Sequence, residues 1–236
     1  MALPDIVYAV RPGEHNEALR YSLRSVAAHV PHRRVWIAGY CPRWAADVGA
    51  IPVPKRATKY ASSTANLRAA AEHDGVSGEF LYFNDDFFVM KPLAGGMPVF
   101  HRGPVARVEA YYATRGRGQY LRGLRDTKAL LAGLGHPNPL SYELHVPMPM
   151  TKTRLLETLD TGAHLPVLHK RTLYGNLHGL GGNQIPDPKI LTRGPRFPRS
   201  ATFLSTMPDT FNHGAVGTYI RARFPTPGPY ETGRRR

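Results

Sequence analysis

The sequence predicts an α/β fold in which helices flank a mostly parallel sheet. Apolar, β-rich segments alternate with helical segments through the first half of the chain, which is the order typical of a parallel sheet. The helical segments are rich in alanine or carry apolar side chains at intervals of three or four residues. The second half is less regular, because proline- and glycine-rich stretches separate its predicted elements.

Each predicted element of the first half has a local cause. The segments DIVYAV and RVWIAGY are rich in β-branched and aromatic residues and predict strands. The helix between them has Leu19, Leu23 and Val26 at helical spacing and ends before Pro31. In chain order, we expect a strand at 5–10, a helix at 14–30, a strand at 34–40, a proline-rich loop or edge at 51–56, a helix at 62–74 and an interrupted strand at 79–89.

The second half is assigned in the same way. In chain order, we expect a strand at 104–113, a helix at 118–135, an ordered loop at 136–150, a helix at 151–160, a binding loop at 168–189, a strand at 202–206, a helix at 210–224 and a tail beyond it. No internal repeat or low-complexity linker divides the chain. Residues 1–236 are therefore expected to form one domain, whose last segment, 226–236, is a basic tail.

Composition predicts a soluble cytoplasmic protein. The chain has 236 residues, of which 42% are hydrophobic, enough for a core. No apolar run approaches the roughly 20 residues that span a membrane. The N-terminal apolar run lacks a preceding basic region and is interpreted as a strand, not a signal peptide. The single cysteine, Cys41, excludes an internal disulfide and fits a reducing compartment.

The net charge of +14 favours polyanionic partners such as nucleic acid, anionic lipid or phosphate-bearing substrates. Most of the basic residues are arginine, which grips phosphate with two parallel hydrogen bonds. A GC-rich genome, such as that of an actinobacterium or one of its phages, gives the same bias. The basic residues are dispersed, and no recognised nucleic-acid motif is present, so specific nucleic-acid binding is not expected.

The segment FLYFNDDFFVM places Asn84, Asp85 and Asp86 inside an aromatic, strand-like run. One interpretation is a simple β-turn, since Asn and Asp tolerate turn geometry. The other is a site at the carboxyl end of a strand, where ligands of open α/β sheets bind. There the two carboxylates would hold Mg²⁺ or Mn²⁺, which prefer carboxylate and phosphate oxygens.

Three further residues are candidates for chemistry. His145 lies in a proline-stiffened loop and could deprotonate a hydroxyl as a general base. A histidine with a purely structural role is the alternative interpretation of the same sequence. Lys170 and Arg171 could clamp a phosphate, although an adjacent basic pair also occurs on solvated surfaces.

Several segments together follow the order of the conserved regions of one bacterial family. The main ones are NEALRYSLRSVAAHVPHRRVWIAGYCPRW with FLYFNDDFFV, and YELHVPMPMTKTRLLETL with HKRTLYGN. They resemble the second and third conserved regions of the Stealth family, whose members are bacterial capsule polysaccharide phosphotransferases. DIVYAV is similar to the opening strand, and FPTPGPYE is similar to the end of the fourth region. Two motifs depart from the family pattern: VYAVRPG lacks the usual Trp and Asp, and STMPDTFNH offers only Asp209.

The resemblance implies a GT-A-like, Rossmann-related fold and transfer of a sugar 1-phosphate from a nucleotide-sugar to a glycan or protein hydroxyl with a divalent metal. A UDP-sugar is the expected donor. Residues 1–100 would bind donor and metal, and residues 101–225 would form the acceptor side. By matching positions, Asp85 and Asp86 would bind metal or diphosphate, His145 would be the base, and Arg171 would contact phosphate; Asn84, Lys170, Arg20 and Arg24 would contact the donor.

Three alternatives remain open at this point. The first is an ordinary GT-A glycosyltransferase that moves the sugar itself. The second is a non-catalytic basic protein that binds a polyanion, with steep salt dependence and indifference to the acidic pair. The third is a transferase fold kept as a scaffold, which the incomplete first and fourth motifs would allow.

Overall fold

The main sheet has five strands, in the order Gly49–Pro52, Val35–Gly39, Asp5–Val10, Glu79–Phe83 and Met148–Thr151, and only the last runs antiparallel to its neighbour. A computed structural model describes residues 3–13, 15–116 and 118–232. The strands are β1 (Asp5–Val10), β2 (Val35–Gly39), β3 (Gly49–Pro52), β4 (Glu79–Phe83), β5 (Phe87–Val89), β6 (Phe100–His101), β7 (Met148–Thr151), β8 (Asn183–Gln184), β9 (Lys189–Ile190) and β10 (Phe203–Thr206). The predicted α/β fold with a mostly parallel sheet is confirmed.

Helices cover both faces of this sheet. They are α1 (Glu17–His29), α2 (Lys59–Glu72), α3 (Val105–Ala113), α4 (Gln119–Gly133), α5 (Lys152–Thr161), α6 (Lys170–Leu177), α7 (Pro208–His213) and α8 (Ala215–Arg223). Along β1, Ile6 and Tyr8 join the core cluster that contains the apolar side of α1, whereas Val7 joins the one that contains the apolar side of α2. This alternation follows from the two-residue period of a strand.

Three predicted elements differ from the structure. The segment predicted as a strand at 104–113 is the helix α3, since Val105 and Val108 lie three residues apart and both pack against α4. The predicted binding loop contains the helix α6, and the end of the predicted loop at 136–150 contributes the strand β7. In each case packing against a tertiary neighbour overrides the local conformational preference of the segment.

The predicted C-terminal helix is divided into α7 and α8 at Gly214. These helices pack on Phe88 of β5 and Leu204 of β10 to form a separate cluster beside the main sheet. The sheet of β5, β10 and β9 thereby joins the C-terminal half to the turn that follows β4.

The predicted basic tail is bound in its described part. Glu231 is buried, and its backbone forms an isolated antiparallel β-bridge with Ala45. Thr232 donates its backbone N–H to the carbonyl of Trp44 at 2.7 Å. Residues 233–236, which carry the terminal arginines, lie outside the described part of the chain.

Candidate active site

The acidic turn, Asn84–Asp86, joins the end of β4 to the start of β5. The Asn84 carbonyl accepts the backbone N–H of Phe87 at 3.3 Å, which closes the turn. Since β1, β2 and β4 are parallel, their carboxyl ends meet at one edge of the sheet, and the turn lies at that edge. The structure therefore combines both interpretations, a turn and a strand-end position where ligands bind in such folds.

Asp85 is a poorly compensated carboxylate. Burial and the neighbouring charge of Asp86 raise its pKa from 3.8 to about 6, and the positive charges of Arg11 and Lys189 only partly oppose this. No ion pair to Asp85 exists among the described residues. A half-buried carboxylate without an ion-pair partner favours a bound cation, which would stabilise the charged form.

Asp86 is paired within the protein. The Nζ of Lys189 donates to its Oδ2 at 2.6 Å, and the hydroxyl of Ser205 donates to the same oxygen at 3.1 Å. No described residue donates a hydrogen bond to Oδ1. The two adjacent aspartates thus have different surroundings, although they follow each other in the sequence.

His145 lies next to the acidic turn and forms a pair with Asp187. Its ring is 6.0 Å from that of Phe87, the residue that follows Asp86. The Nδ1 atom is 2.9 Å from Oδ1 of Asp187 and 3.0 Å from Oδ2, and the backbone N–H of His145 also donates to Oδ1 at 3.2 Å. A carboxylate only accepts, so Nδ1 carries the hydrogen and the lone pair of a neutral ring lies on Nε2.

Asp187 is held as an anion. Burial alone raises its pKa, but the hydrogen bond and charge of His145 together with the charge of Arg102 lower it below the usual value. The Arg102 guanidinium lies 3.6 Å from Oδ2. The His145–Asp187 arrangement matches that of a base whose ring is oriented by a carboxylate.

Arg171 supports the loop that carries His145. Its side chain is buried, and one guanidinium nitrogen donates to the carbonyls of Leu144 and Val146 at 3.0 and 2.7 Å. The guanidinium lies over the rings of Tyr82 and Phe87, at 4.3 and 5.1 Å from their centroids. Arg171 therefore lies between the loop of His145 and the residues on either side of the acidic turn.

Lys170 points toward α2. Its side chain is buried, and Nζ donates to the hydroxyl of Ser63 at 3.3 Å. The preceding loop closes on α6 through Glu143, whose carboxylate accepts the backbone N–H groups of Arg171 and Thr172 at the first turn of the helix.

Arg20 and Arg24 bind the C-terminal segment. Arg20 donates to Glu231 at 2.6 Å, and Arg24 donates to both oxygens of the same carboxylate at 2.6 and 3.0 Å. Arg24 also donates to the Phe224 carbonyl at 2.8 Å. The structure thus groups Asp85, Asp86, His145 and Arg171 around the acidic turn, whereas the hydrogen bonds of Arg20 and Arg24 go to the tail.

A basic cavity of about 310 Å³ opens at the carboxyl ends of β1, β2 and β3. Its lining includes four basic side chains, the first helical turns of α2 and one exposed aromatic ring: Arg11, Lys55, Arg56, Lys59, Thr58, Ser62 and Tyr40. The helix N-terminus adds a favourable field for an anion. Arg11 follows β1, and β1 pairs in parallel with β4, so this wall of the cavity lies at the same end of the sheet as the acidic turn.

The floor of the cavity depends on Gly39, the last residue of β2. Its φ is +104°, and a Cβ there would lie 2.3 Å from the Val10 carbonyl oxygen and 2.4 Å from Nδ2 of Asn66. Asn66 uses that nitrogen to donate to the same carbonyl at 3.1 Å. The close approach of β1, β2 and α2 around this cavity therefore requires glycine.

The residues that complete this site were absent from the sequence-based candidates. Arg11 directly follows β1, so the strand-end argument that selected Asp85 also applies to it. Asp187 and Lys189 alternate with prolines in the segment PDPK, and side chains two residues apart in extended chain face the same side. Lys55, Arg56 and Lys59 lie close together in the sequence, but their position at the cavity depends on the loop between β3 and α2.

The residues at the acidic turn fit one hard divalent cation that also binds a substrate phosphate. No group of three or more His, Cys, Asp or Glu side chains is arranged as a metal site in the part of the chain that the structure describes. Mg²⁺ commonly takes one or two carboxylates and completes its shell with phosphate and water. Asp85, which has no ion-pair partner in residues 3–13, 15–116 and 118–232, and the Oδ1 atom of Asp86 provide such a partial set.

Comparison with known proteins gives one curated relative that is similar to part of this chain. No family model matches it. An exopolysaccharide phosphotransferase of Nocardia farcinica (strain IFM 10152) is 31% identical over an alignment of 160 positions, and the match covers 60% of this chain and 31% of that protein. The chain therefore matches about a third of the length of this curated relative.

The fold is that of a GT-A glycosyltransferase. The crystal structure of galactosyltransferase LgtC in complex with donor and acceptor sugar analogues superposes with a TM-score of 0.54 at 13% identity, over 94% of this chain and 96% of that one. At this identity the comparison shows the fold alone. Within residues 3–13, 15–116 and 118–232, no helix has the length and apolarity needed to cross a bilayer.

Proposed function

We propose that this protein is a GT-A-type transferase of the Stealth kind, which takes a sugar 1-phosphate from a nucleotide-sugar and attaches it to a hydroxyl of a glycan. The observation that carries the proposal is the position of the His145–Asp187 pair beside the acidic turn, with the basic cavity at the same end of the sheet. The similarity to an exopolysaccharide phosphotransferase supports the phosphotransfer reaction and a glycan acceptor. The chain acts as one domain, with the donor site in residues 1–100.

The donor binds in the basic cavity with its diphosphate toward the acidic turn. Arg11, Lys55, Arg56 and Lys59 attract the phosphates, and Tyr40 provides a ring surface for the base. A UDP-sugar is the expected donor, as the resemblance to the Stealth family implies. The net charge of +14 is consistent with an anionic substrate.

Asp85 and Asp86 hold a Mg²⁺ or Mn²⁺ ion together with the diphosphate. The ion, when bound, neutralises the charge that develops on the departing phosphate. Asp85 contributes a carboxylate that forms no ion pair within the described residues, and Asp86 contributes the oxygen that Lys189 does not contact. Asn84 holds the turn that positions both side chains.

His145 activates the acceptor. Its Nε2 takes the proton of the acceptor hydroxyl, while Asp187 stabilises the imidazolium that forms. The acceptor oxygen forms a bond to the sugar-linked phosphorus, the bond from that phosphorus to the bridging oxygen breaks, and the nucleoside monophosphate leaves with the bridging oxygen. Arg171 acts on this step by fixing the carbonyls on both sides of His145, and Lys170 adds positive charge from the same helix.

Ordinary glycosyl transfer is the second candidate, because the fold also occurs in a galactosyltransferase. In that reaction the acceptor oxygen attacks the anomeric carbon, and the nucleoside diphosphate leaves. The nucleotide product separates the two reactions in one assay of purified protein with UDP-sugars and a bacterial exopolysaccharide. Release of UMP supports phosphotransfer, whereas release of UDP would show that the reaction is glycosyl transfer.

The same assay tests the polyanion-binding alternative. If no nucleotide is released with any donor and acceptor, and Asp85→Ala and wild type bind heparin equally with a steep salt dependence, the protein is a basic binding module. Release of nucleotide by wild type and its loss in His145→Ala supports the enzyme.

A further inference from the structure

Lys189 forms an ion pair with Asp86 in the acidic turn, where the proposed function places a metal ion. Its Nζ is 2.6 Å from Oδ2 of Asp86, and the two side chains are 15% and 19% exposed. The Ser205 hydroxyl donates to the same oxygen. The ammonium is therefore a built-in counter-ion of a carboxylate that the proposed function assigns to metal and donor binding.

The backbone holds Lys189 at this position. Lys189 pairs with Ser205 in the register of β9 and β10, and the Ser205 N–H donates to the carbonyl of the preceding Pro188 at 3.3 Å. Two residues earlier, Asp187 orients His145. The short segment PDPK thus carries one contact to the base and one to the acidic turn.

A divalent ion and an ammonium compete for Asp86. Both are attracted by the same carboxylate and repel each other, so an ion that enters alone must weaken the Lys189–Asp86 pair. A nucleoside diphosphate changes this balance, because its oxygens offer the ammonium a new partner and the ion further ligands.

We propose that Lys189 holds Asp86 until a nucleoside diphosphate arrives and then transfers its hydrogen bond to the diphosphate, so that metal and donor bind cooperatively. The inference rests on the proposed function. Coupling of this kind is reciprocal: the diphosphate raises metal affinity by the same factor as the metal raises diphosphate affinity. Lys189 is a positioning residue in this scheme. It lowers the affinity for the metal until the diphosphate is bound, and it takes no part in bond breaking.

The test is a titration with Mn²⁺ in the presence and in the absence of UDP. The electron paramagnetic resonance signal of the free ion measures how much Mn²⁺ is unbound. Wild type is expected to bind Mn²⁺ weakly alone and roughly tenfold or more tightly with UDP, within the range usual for coupled sites. Lys189→Met is expected to bind Mn²⁺ alone about tenfold more tightly than wild type and to lose most of the coupling. Lys189→Arg, which keeps the charge, retains the coupling.

Two controls separate this role from a loss of fold. Lys91→Met removes an exposed lysine and leaves both Mn²⁺ titrations unchanged. Ser205→Ala removes the other contact to Asp86 without removing a cation, and it does not tighten Mn²⁺ binding in the absence of UDP. Thermal melts of each variant verify that it is folded before the titrations are compared.

The inference is overturned if Lys189→Met, without UDP, binds Mn²⁺ as tightly as wild type or more weakly. If UDP still binds wild type in that case, the proposed donor site stands and Lys189 is only a fixed counter-ion. If UDP binds no variant with or without Mn²⁺, the proposed function fails together with the coupling.

Discussion

Both carboxylate oxygens of Asp187 lie within 3.0 Å of Nδ1 of His145, and the backbone N–H of His145 donates to the same carboxylate. The ring is therefore fixed in position, and its Nε2 atom is left to accept a proton. Arg102 adds a positive charge at 3.6 Å that keeps Asp187 ionised.

Replacing Asp187 with Asn tests this pair. The amide can donate to Nδ1 and so favours the tautomer whose Nε2 carries hydrogen and cannot accept the proton. The turnover rate is expected to fall by about two to four orders of magnitude, the contribution usual for general base catalysis, with little change in donor KM. The exposed Asp74→Asn is the matched control. Equal losses in kcat and in donor affinity would instead indicate a structural role for Asp187.

Asp85→Asn is expected to stabilise the metal-free protein above pH 6 and to abolish activity. The pKa of Asp85 in the folded chain, about 6, lies above its ordinary 3.8. The carboxyl thus favours the folded state below about pH 4, and this contribution is lost as the pH rises to about 6.

The asparagine does not titrate, so the free energy of unfolding of the variant should exceed that of wild type by about 1–3 kcal/mol at pH 7.5. Urea unfolding in EDTA at pH 4 and pH 7.5 measures the difference. A variant that is less stable than wild type at pH 7.5 would show that Asp85 already has a compensating partner.

Gly39→Ala is expected to lower stability, because Gly39 packs closely against β1 and α2 at the basic cavity. The new Cβ would meet the Val10 carbonyl and Asn66 in a backbone conformation that L-residues rarely adopt. The expected loss is roughly 2–4 kcal/mol from strain and overpacking. Gly95→Ala, where a Cβ meets nothing within 4 Å, is the control for a glycine substitution. Comparable unfolding curves for the two variants would contradict the proposed close packing around Gly39.

Glu231→Gln is expected to loosen the C-terminal segment from α1. Burial raises the pKa of this carboxyl, but hydrogen bonds from Arg24, the Gly228 N–H and Arg20 lower it below 4.5. Its contribution to stability is therefore present above about pH 4.5 and lost as the pH falls through the lowered pKa in the folded state.

At neutral pH the loss should be roughly 3 kcal/mol, since Arg24 would remain buried beside a neutral group. Glu72→Gln, which removes one member of an exposed pair with Arg68, should change stability by less than about 0.5 kcal/mol. If donor affinity falls while stability does not, Arg20 and Arg24 serve the donor, as the resemblance implies.

The sequence predicted those elements whose pattern is local. The strands β1, β2 and β4 are continuous apolar runs, and α1 and α2 have helical signals of their own, so the parallel sheet could be inferred. The helix α3 was missed because its valines and tyrosines favour strands in isolation, and only α4 shows which face they bury. Asp187 and Lys189 were missed because their partners, His145 and Asp86, lie far away in the chain.

The residues of the candidate site differ in the same way, since some are recognisable from their local sequence and others are not. Asp85 and His145 stand out because their neighbours make them unusual in the sequence itself, a carboxylate among aromatic residues and a histidine among prolines. Arg20 and Arg24 have no such local setting, and their acidic partner, Glu231, lies about two hundred positions away.

The central claim is that the acidic turn and the basic cavity together bind a nucleoside diphosphate, and calorimetric titration of UDP in the presence of Mn²⁺ tests it most directly. We predict one UDP per chain for wild type, with binding weakened at least about tenfold, or 1.4 kcal/mol, in Asp85→Ala and in Arg11→Gln, and unchanged in the exposed Arg43→Gln. Equal binding by wild type and Asp85→Ala, or no saturable binding by any of them, would contradict the account.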